Sequence, residues 1–262
     1  MFRIGTTSYI LPAGILANVE YLAPLVDDIE LVLFETDEHG SNLPDAALCR
    51  RLQEIAVERS LSYTVHLPLD VLPGAGPGAD CLEKARRAID ATHELAPYAY
   101  VVHLDGRPLM ARTMAADTWR DGAVASLEAI CRWIGAPQLL CVENVEGWDP
   151  AHFAPVLERL AVSRAADVGH LWLQGQDPRA VLPDWIERTR VVHLHGIAAR
   201  DHESLSHVPA GGLDPLVELL SDRFDGVVTL EVFNEQDFMG SMAALRDSLR
   251  RVRKGGESCR VR

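Results

Sequence analysis

The sequence predicts a single (β/α)8 barrel, and three observations predict it. Eight short runs rich in β-branched residues alternate with amphipathic segments from one end of the chain to the other. The 262 residues suit one barrel and its sizeable core, with 48% hydrophobic residues. Finally, imidazoles and carboxylates recur where the apolar runs stop, and side chains at the ends of successive strands meet only if those strands run parallel around a ring.

The expected strands are RIGTTSYI (3–10), DIELVLFE (28–35), SYTVHL (62–67), YAYVVHL (98–104), QLLCVEN (138–144), SRAADVG (163–169), TRVVHLH (189–195) and GVVTLEV (226–232). Most are apolar on both faces, as strands covered inside and outside must be. Between them lie helical stretches such as DAALCRRLQEIAVERS and ADTWRDGAVASLEAICRWIG. Asp45, Asp80, Asp117 and Asp177 stand near helix starts, where a carboxylate caps free amides and meets the positive end of the dipole. An open dinucleotide fold would want GxGxxG after its first strand, and GTTSY is not that.

Three connections are long or rich in turn residues: LPLDVLPGAGPGAD after His66, NVEGWDP after Glu143, and GIAARDHESLSHVPAGG after His195. The last is the expected lid, with Gly211 and Gly212 as hinge points. The barrel is expected over residues 1–253, with 254–262 a basic, solvated tail.

Composition excludes some functions. With 38 acidic against 25 basic residues the net charge is −13, which repels a nucleic-acid backbone. Cys49, Cys81, Cys131, Cys141 and Cys259 are scattered without a CxxC pair, so a reduced, cytoplasmic protein is expected. The opening residues lack the basic-then-apolar order of a signal peptide, and no run of 18 apolar residues occurs, so no membrane partner is expected.

Taken singly, a histidine ending a strand is a rim residue and an acid there caps the next helix. Their coincidence is what points to a metal. Carboxylates crowded at one mouth raise each other's pKa and resist ionising, and a divalent cation removes that penalty. Glu143, Asp167, His193 and Glu231, from four consecutive strands, form the minimal ligand set, with His66, His103, His170 and His202 as further ligands or their partners. Nitrogen and oxygen donors without thiolate suit Zn, Mn, Fe or Co. Asp167 and His170 both reach the mouth only if the chain turns sharply, which is assigned to Gly169. His195 is placed on the face opposite His193 and read as structural.

The ordered set VHLPL, VVHLDG, CVENVEG, DVGH, VVHLHG and TLEVF resembles the xylose isomerase-like barrel superfamily (AP endonuclease 2-like), which contains endonuclease IV-type phosphodiesterases and ketose epimerases. In the phosphodiesterase branch nine ligands hold three zinc ions, and His66, His103, Glu143, Asp167, His170, His193, His202 and Glu231 match eight of them in kind and order. The ninth departs: the family writes Asp-x-His after strand seven, and this chain has Arg200, Asp201, His202.

Within the superfamily, GTTSY, NVEYLAPLVDDIELVLFE and DHESLSHVPAGG are most similar to the bacterial cobamide-remodelling phosphodiesterases. That resemblance implies hydrolysis of the phosphodiester joining a cobamide's lower-ligand nucleotide to its corrin ring, with one to three divalent ions, Zn first, as cofactor. Glu143 or Glu231 is expected as general base, Trp148, Trp172, Phe233 and Phe238 stand in or near mouth loops as expected substrate contacts, and Glu35 is either a polar contact to substrate or ligands or a plain helix cap. The competing reading is a sugar isomerase or epimerase using Glu143, Asp167, His193 and Glu231 around one metal; repair of abasic DNA and a non-catalytic scaffold are weaker.

Overall fold

The computed structural model describes residues 2–36, 40–69, 71, 73–74, 80–104, 106–147 and 152–259. Eight parallel strands close into a barrel: β1 (Arg3–Thr7), β2 (Asp28–Val32), β3 (Ser62–His66), β4 (Ala99–His103), β5 (Leu140–Glu143), β6 (Ser163–Asp167), β7 (Thr189–Leu194) and β8 (Val227–Leu230). Each pairs with its neighbours in sequence, and β8 pairs with β1.

All eight expected strands are present, each ending one to three residues earlier than its apolar run. The runs overshoot because the chain stays buried after leaving the sheet, as at Leu33 and Leu67, and burial rather than pairing sets a periodicity signal. Glu35, placed at the end of the second strand, instead starts a two-stranded ribbon, Glu35–Thr36 with Gly40–Ser41.

The helices used below are α1 (Ile15–Leu22), α2 (Ala46–Arg59), α3 (Asp80–Thr92), α4 (Arg107–Met110), α5 (Ala116–Ile134), α6 (Ala154–Leu157), α7 (Val168–Leu173), α8 (Pro178–Trp185), α9 (Ala210–Arg223) and α10 (Glu235–Cys259). Asp45 caps α2 by accepting from the Leu48 amide at 2.8 Å, and Asp177 caps α8 by accepting from Arg179 at 3.0 Å. Asp80 is the first residue of α3. Asp117 is not a cap: it lies within the first turn of α5 and pairs with Arg120 at 2.9 Å. The last helix runs through the expected boundary at 253/254 as far as Cys259, since nothing in RVRKGGESC is a proline to stop it. No helix among the described residues is long and apolar enough to cross a membrane.

Two apolar layers result. The larger lies between strands and helices, with Ile29, Leu31, Val102, Val142 and Val192 pointing outward into it. The smaller fills the lower barrel lumen with Ala99, Val101, Cys141, Ala165 and Val191. Cys49, Cys131 and Cys141 are buried and unpaired.

The lumen also holds Asp28, Glu30, Thr64 and Thr229, all fully buried. Burial pushes the Asp28 carboxyl up to about 7, against the opposing hydrogen bond from Ser62. Since the folded pKa lies above the unfolded value, native Asp28 holds a proton that the unfolded chain releases, and stability falls as pH rises from about 4 to about 7. Asp28→Asn should therefore gain stability relative to wild type across that window, by up to about 4 kcal/mol. Urea denaturation of the chelated proteins at pH 5 and pH 8 checks this; an equal difference at both would refute it.

Candidate metal centre

Side chains alternate along a strand, so residues two apart share a face. At the carboxyl ends of β2 to β8 the inward positions are Val32, His66, His103, Glu143, Asp167, His193 and, just past β8, Glu231. Register places His103 beside Glu143 and Asp167 beside His193. All eight residues expected as ligands come together here. Together with His195, their donor atoms form three groups, each within 4.8 Å: His66, His103 and Glu143; Glu143, Asp167, His193 and Glu231; and Asp167, His170, His195 and His202. Glu143 joins the first group to the second, and Asp167 joins the second to the third.

Glu143 is the hub. Its Oε2 lies 3.2 Å from His66 Nε2 and 3.1 Å from His103 Nε2, and its Oε1 lies 3.2 Å from His193 Nδ1. Glu231 Oε2 sits 3.1 Å from His193 Nδ1 and 3.4 Å from His202 Nε2, yet is buried without a hydrogen bond among the described residues. A buried carboxylate oxygen left unbonded amid imidazoles, in an all-nitrogen-and-oxygen donor set, fits a divalent cation.

Local structure explains how Asp167 and His170 both reach the mouth. Asp167 is the cap of α7, accepting from the His170 amide at 2.6 Å, and one helical turn returns the His170 ring to the carboxylate that caps it. Gly169 serves space rather than turning: it is helical, and a Cβ there would lie 1.9 Å from His195 Cε1. Asn144, which the sequence reading passed over, ties the end of β5 to that of β6. Its Nδ2 donates to Asp167 O at 2.8 Å, its Oδ1 accepts from the Asp167 amide at 2.9 Å, and its carbonyl lies 2.9 Å from His170 Nδ1.

Backbone carbonyls also orient two other rings: His66 Nδ1 lies 2.8 Å from Leu67 O and His195 Nδ1 lies 3.3 Å from Gly196 O, turning each Nε2 to the carboxylates. His193 is reversed. Its Nδ1 faces the cluster, while Nε2 lies 3.0 Å from Glu30 Oε2, both side chains fully buried. Glu30 is a site residue the sequence reading missed. The signal was there: in DIELV the acids alternate with outward-facing Ile29 and Leu31, so both point into the lumen.

Burial opposes a charged imidazole, but the carboxylates outweigh it. His66 is raised to about 9 by Glu143, Glu30 and Glu231, and His195 to about 9 by Asp167, Glu231 and Asp201. His170 rises to about 11 through Asp167, Asp201 and Glu143, and His193 lies well above its ordinary value. For Glu143 and Glu231 burial acts the other way and is overcome by His193 and its neighbours, leaving both well below the usual carboxylate range. Charged rings and ionised carboxylates thus stabilise one another, and a cation entering the cluster would displace protons from these rings.

The remaining expectations divide. Phe233 lines the cavity of about 240 Å³ over the metal groups, with Val32, Leu69 and Glu146, and its ring centroid lies 5.3 Å from that of His202. Glu35 does not line it; Arg87 of α3 holds that carboxylate at 2.8 Å, because the chain has already left the barrel. Trp172 lines a separate cavity with Gly175, Gln176 and Gly212, and Phe238 is fully buried in the outer core. Trp148 lies outside the described residues. The expected lid is pinned: Ser204 N donates to Asp237 Oδ1 at 3.1 Å and Leu205 N to Ser241 Oγ at 2.9 Å, fastening the loop to α10. Gly211 and Gly212 are not hinges but part of the first turn of α9.

His195 is also corrected. It lies two residues after His193, hence on the same face, and it is fully buried with Nε2 3.3 Å from Asp167. Asp201 faces three of the imidazoles, at 3.4 Å from His170 Nε2, 3.2 Å from His195 Nδ1 and 3.4 Å from His202 Nδ1.

Solved structures share this fold. A D-tagatose 3-epimerase-like protein aligns with a TM-score of 0.76 at 20% identity, covering 97% of this chain and 99% of that one. The 3-keto-D-glucoside 4-epimerase YcjR from E. coli aligns at 0.68 and 18%, covering 97% and 100%. Endonuclease IV from Thermus thermophilus aligns at 0.69 and 18%, covering 95% and 99%. At these identities the likeness is one of fold. No curated protein matches the sequence. The closed parallel barrel agrees with the family whose sequence model matches residues 26–255, and the chain belongs to that family, the xylose isomerase-like TIM barrels.

Proposed function

We propose that the protein is a multi-metal phosphodiesterase acting on the nucleotide-loop phosphodiester of cobamides, releasing a cobinamide-type corrinoid from the lower-ligand nucleoside portion. The observation that carries the hydrolase is the three overlapping donor groups, which are linked through Glu143 and Asp167 and use six histidines. Glu143, Asp167, His193 and Glu231 would hold the principal ion, His66 and His103 a second with Glu143. Clustered divalent ions supply an activated water and Lewis-acid stabilisation of phosphoryl oxygens.

This chain's own residues supply the rest. Glu143 and Glu231 are held ionised by the neighbouring imidazoles, and a carboxylate oxygen of either that the ion leaves free can accept the proton of the attacking water. Leu69 and Phe233, 63% and 40% exposed, give the cavity an apolar wall beside the acids. A corrin, broad and partly apolar, suits that wall. The cobamide itself rests on the sequence resemblance of GTTSY and the segments that follow.

Metal analysis joined to product analysis tests this. Protein holding two or more ions should convert intact cobamide, and mass spectrometry in ¹⁸O-labelled water identifies the fragment that keeps the phosphate. Unchanged cobamide beside clear interconversion of a ketose by protein with one ion refutes it. That outcome would favour the second reading, a sugar epimerase, which has its own observation: Glu143, Asp167, His193 and Glu231 by themselves form a four-ligand group. Five of the similar solved structures carry epimerase in their names, and one is an endonuclease IV.

DNA is not the expected partner. At a net charge of −13, binding to an abasic duplex should be weak, with Kd no tighter than about 10 µM at physiological salt. Fluorescence anisotropy checks this, and tight, salt-sensitive binding with strand cleavage would overturn it.

A further inference from the structure

His195 has no counterpart in the ligand set that the resemblance supplied, and the acid of the family's Asp-x-His is missing from its place. The two departures meet at one point. His195 Nε2 lies 3.3 Å from Asp167 Oδ1, and its ring stacks on that of His202 with centroids 4.2 Å apart and an interplanar angle of 17°. The His170 ring stands 5.6 Å from each of them. Three imidazoles thus surround Asp167 with one donor atom each inside 4.8 Å.

The surroundings are built for that ring. Only a residue without Cβ fits at position 169, since a Cβ would lie 1.9 Å from His195 Cε1 and 2.2 Å from its Nε2. Asp201 meets all three rings, its oxygens 3.2 Å from His195 Nδ1 and 3.4 Å from both His202 Nδ1 and His170 Nε2. A carboxylate placed against imidazoles in this way fixes their orientation. His202 itself adopts a left-handed backbone, φ 54°, uncommon for a residue with a side chain.

We propose that His195 is a metal ligand, completing with Asp167, His170 and His202 a third, nitrogen-rich site in which it stands in for the ninth, acidic ligand that the resemblance expects. Asp201 is a positioning residue for this site. The inference rests on the multi-metal reading above. A site of three imidazoles and one carboxylate favours Zn or Co over the harder Mg or Mn.

The test is metal stoichiometry by mass spectrometry of the purified, zinc-loaded full-length protein. Wild type should hold three ions per chain and His195→Gln two. His202→Gln should lose the same ion, so the double variant also holds two. Melting of the chelated proteins verifies that each variant is folded. Should His195→Gln fail to fold, cadmium-113 NMR of the wild type decides, because ligation predicts scalar coupling between the bound cadmium and the His195 ring protons. An unchanged stoichiometry in folded His195→Gln, or no coupling to His195 in loaded wild type, overturns the proposal. Three ions without diester turnover would leave this site standing and remove the phosphodiesterase. Turnover with two ions, indifferent to His195, would do the reverse.

Discussion

Replacing Glu143 with Gln is expected to disable two metal groups at once and to lower diester turnover roughly a thousandfold or more, the equivalent of several kcal/mol of lost transition-state stabilisation. Glu143 is the only residue shared by the first and second donor groups. Both of its oxygens are engaged, Oε2 by His66 and His103, Oε1 by His193. The amide removes the negative charge that balances those rings while keeping the side chain's shape, so the fold should persist. Metal content should fall with activity, and both are measured on the same preparation. A Glu143→Gln protein with wild-type metal content and turnover would show that the cluster is not the active centre.

Glu30 should show the next largest effect. Its carboxylate holds His193 by Nε2 and thereby presents Nδ1 to Glu143 and Glu231. Outer partners of this kind typically contribute about 10- to 100-fold in metal affinity. Glu30→Gln keeps an acceptor but not the charge and should weaken binding about tenfold; Glu30→Leu removes the acceptor and should weaken it about a hundredfold. Competition with a chromophoric chelator measures the affinities. A purely structural role would change melting of the chelated protein without moving them. Long-range ¹H–¹⁵N NMR should further find the proton of loaded wild-type His193 on Nε2, and metal affinities indifferent to both substitutions would refute the assignment.

Much of this was legible in the chain. Strand number, alternation with helices and the end of the barrel that carries the chemistry follow from local physics: β-branched runs apolar on both faces, helical periodicity between them, and polar residues where each run stops. The eight residues expected as ligands, from His66 to Glu231, could be named because a strand end is a position in sequence as well as in space. Phe233 was reachable for the same reason, standing just beyond Glu231.

What the tertiary structure alone decided concerns direction and partners. Glu35 and Glu30 lie on the same sequence run, yet the chain leaves the sheet before Glu35, which then meets Arg87, while Glu30 remains in the lumen behind His193. Trp172 and Phe238 sit in connections that read as mouth loops, but the helices that carry them turn them toward a side cavity and the outer core. Gly211 and Gly212 look like hinges in sequence and are helical because α9 starts at Ala210. His195 joins the cluster because strand alternation carries it to the side of His193 and Gly169 leaves room for its ring. Periodicity reports which side of an element faces apolar surroundings; it does not report what stands opposite, since that depends on the register of eight strands and the closure of the ring.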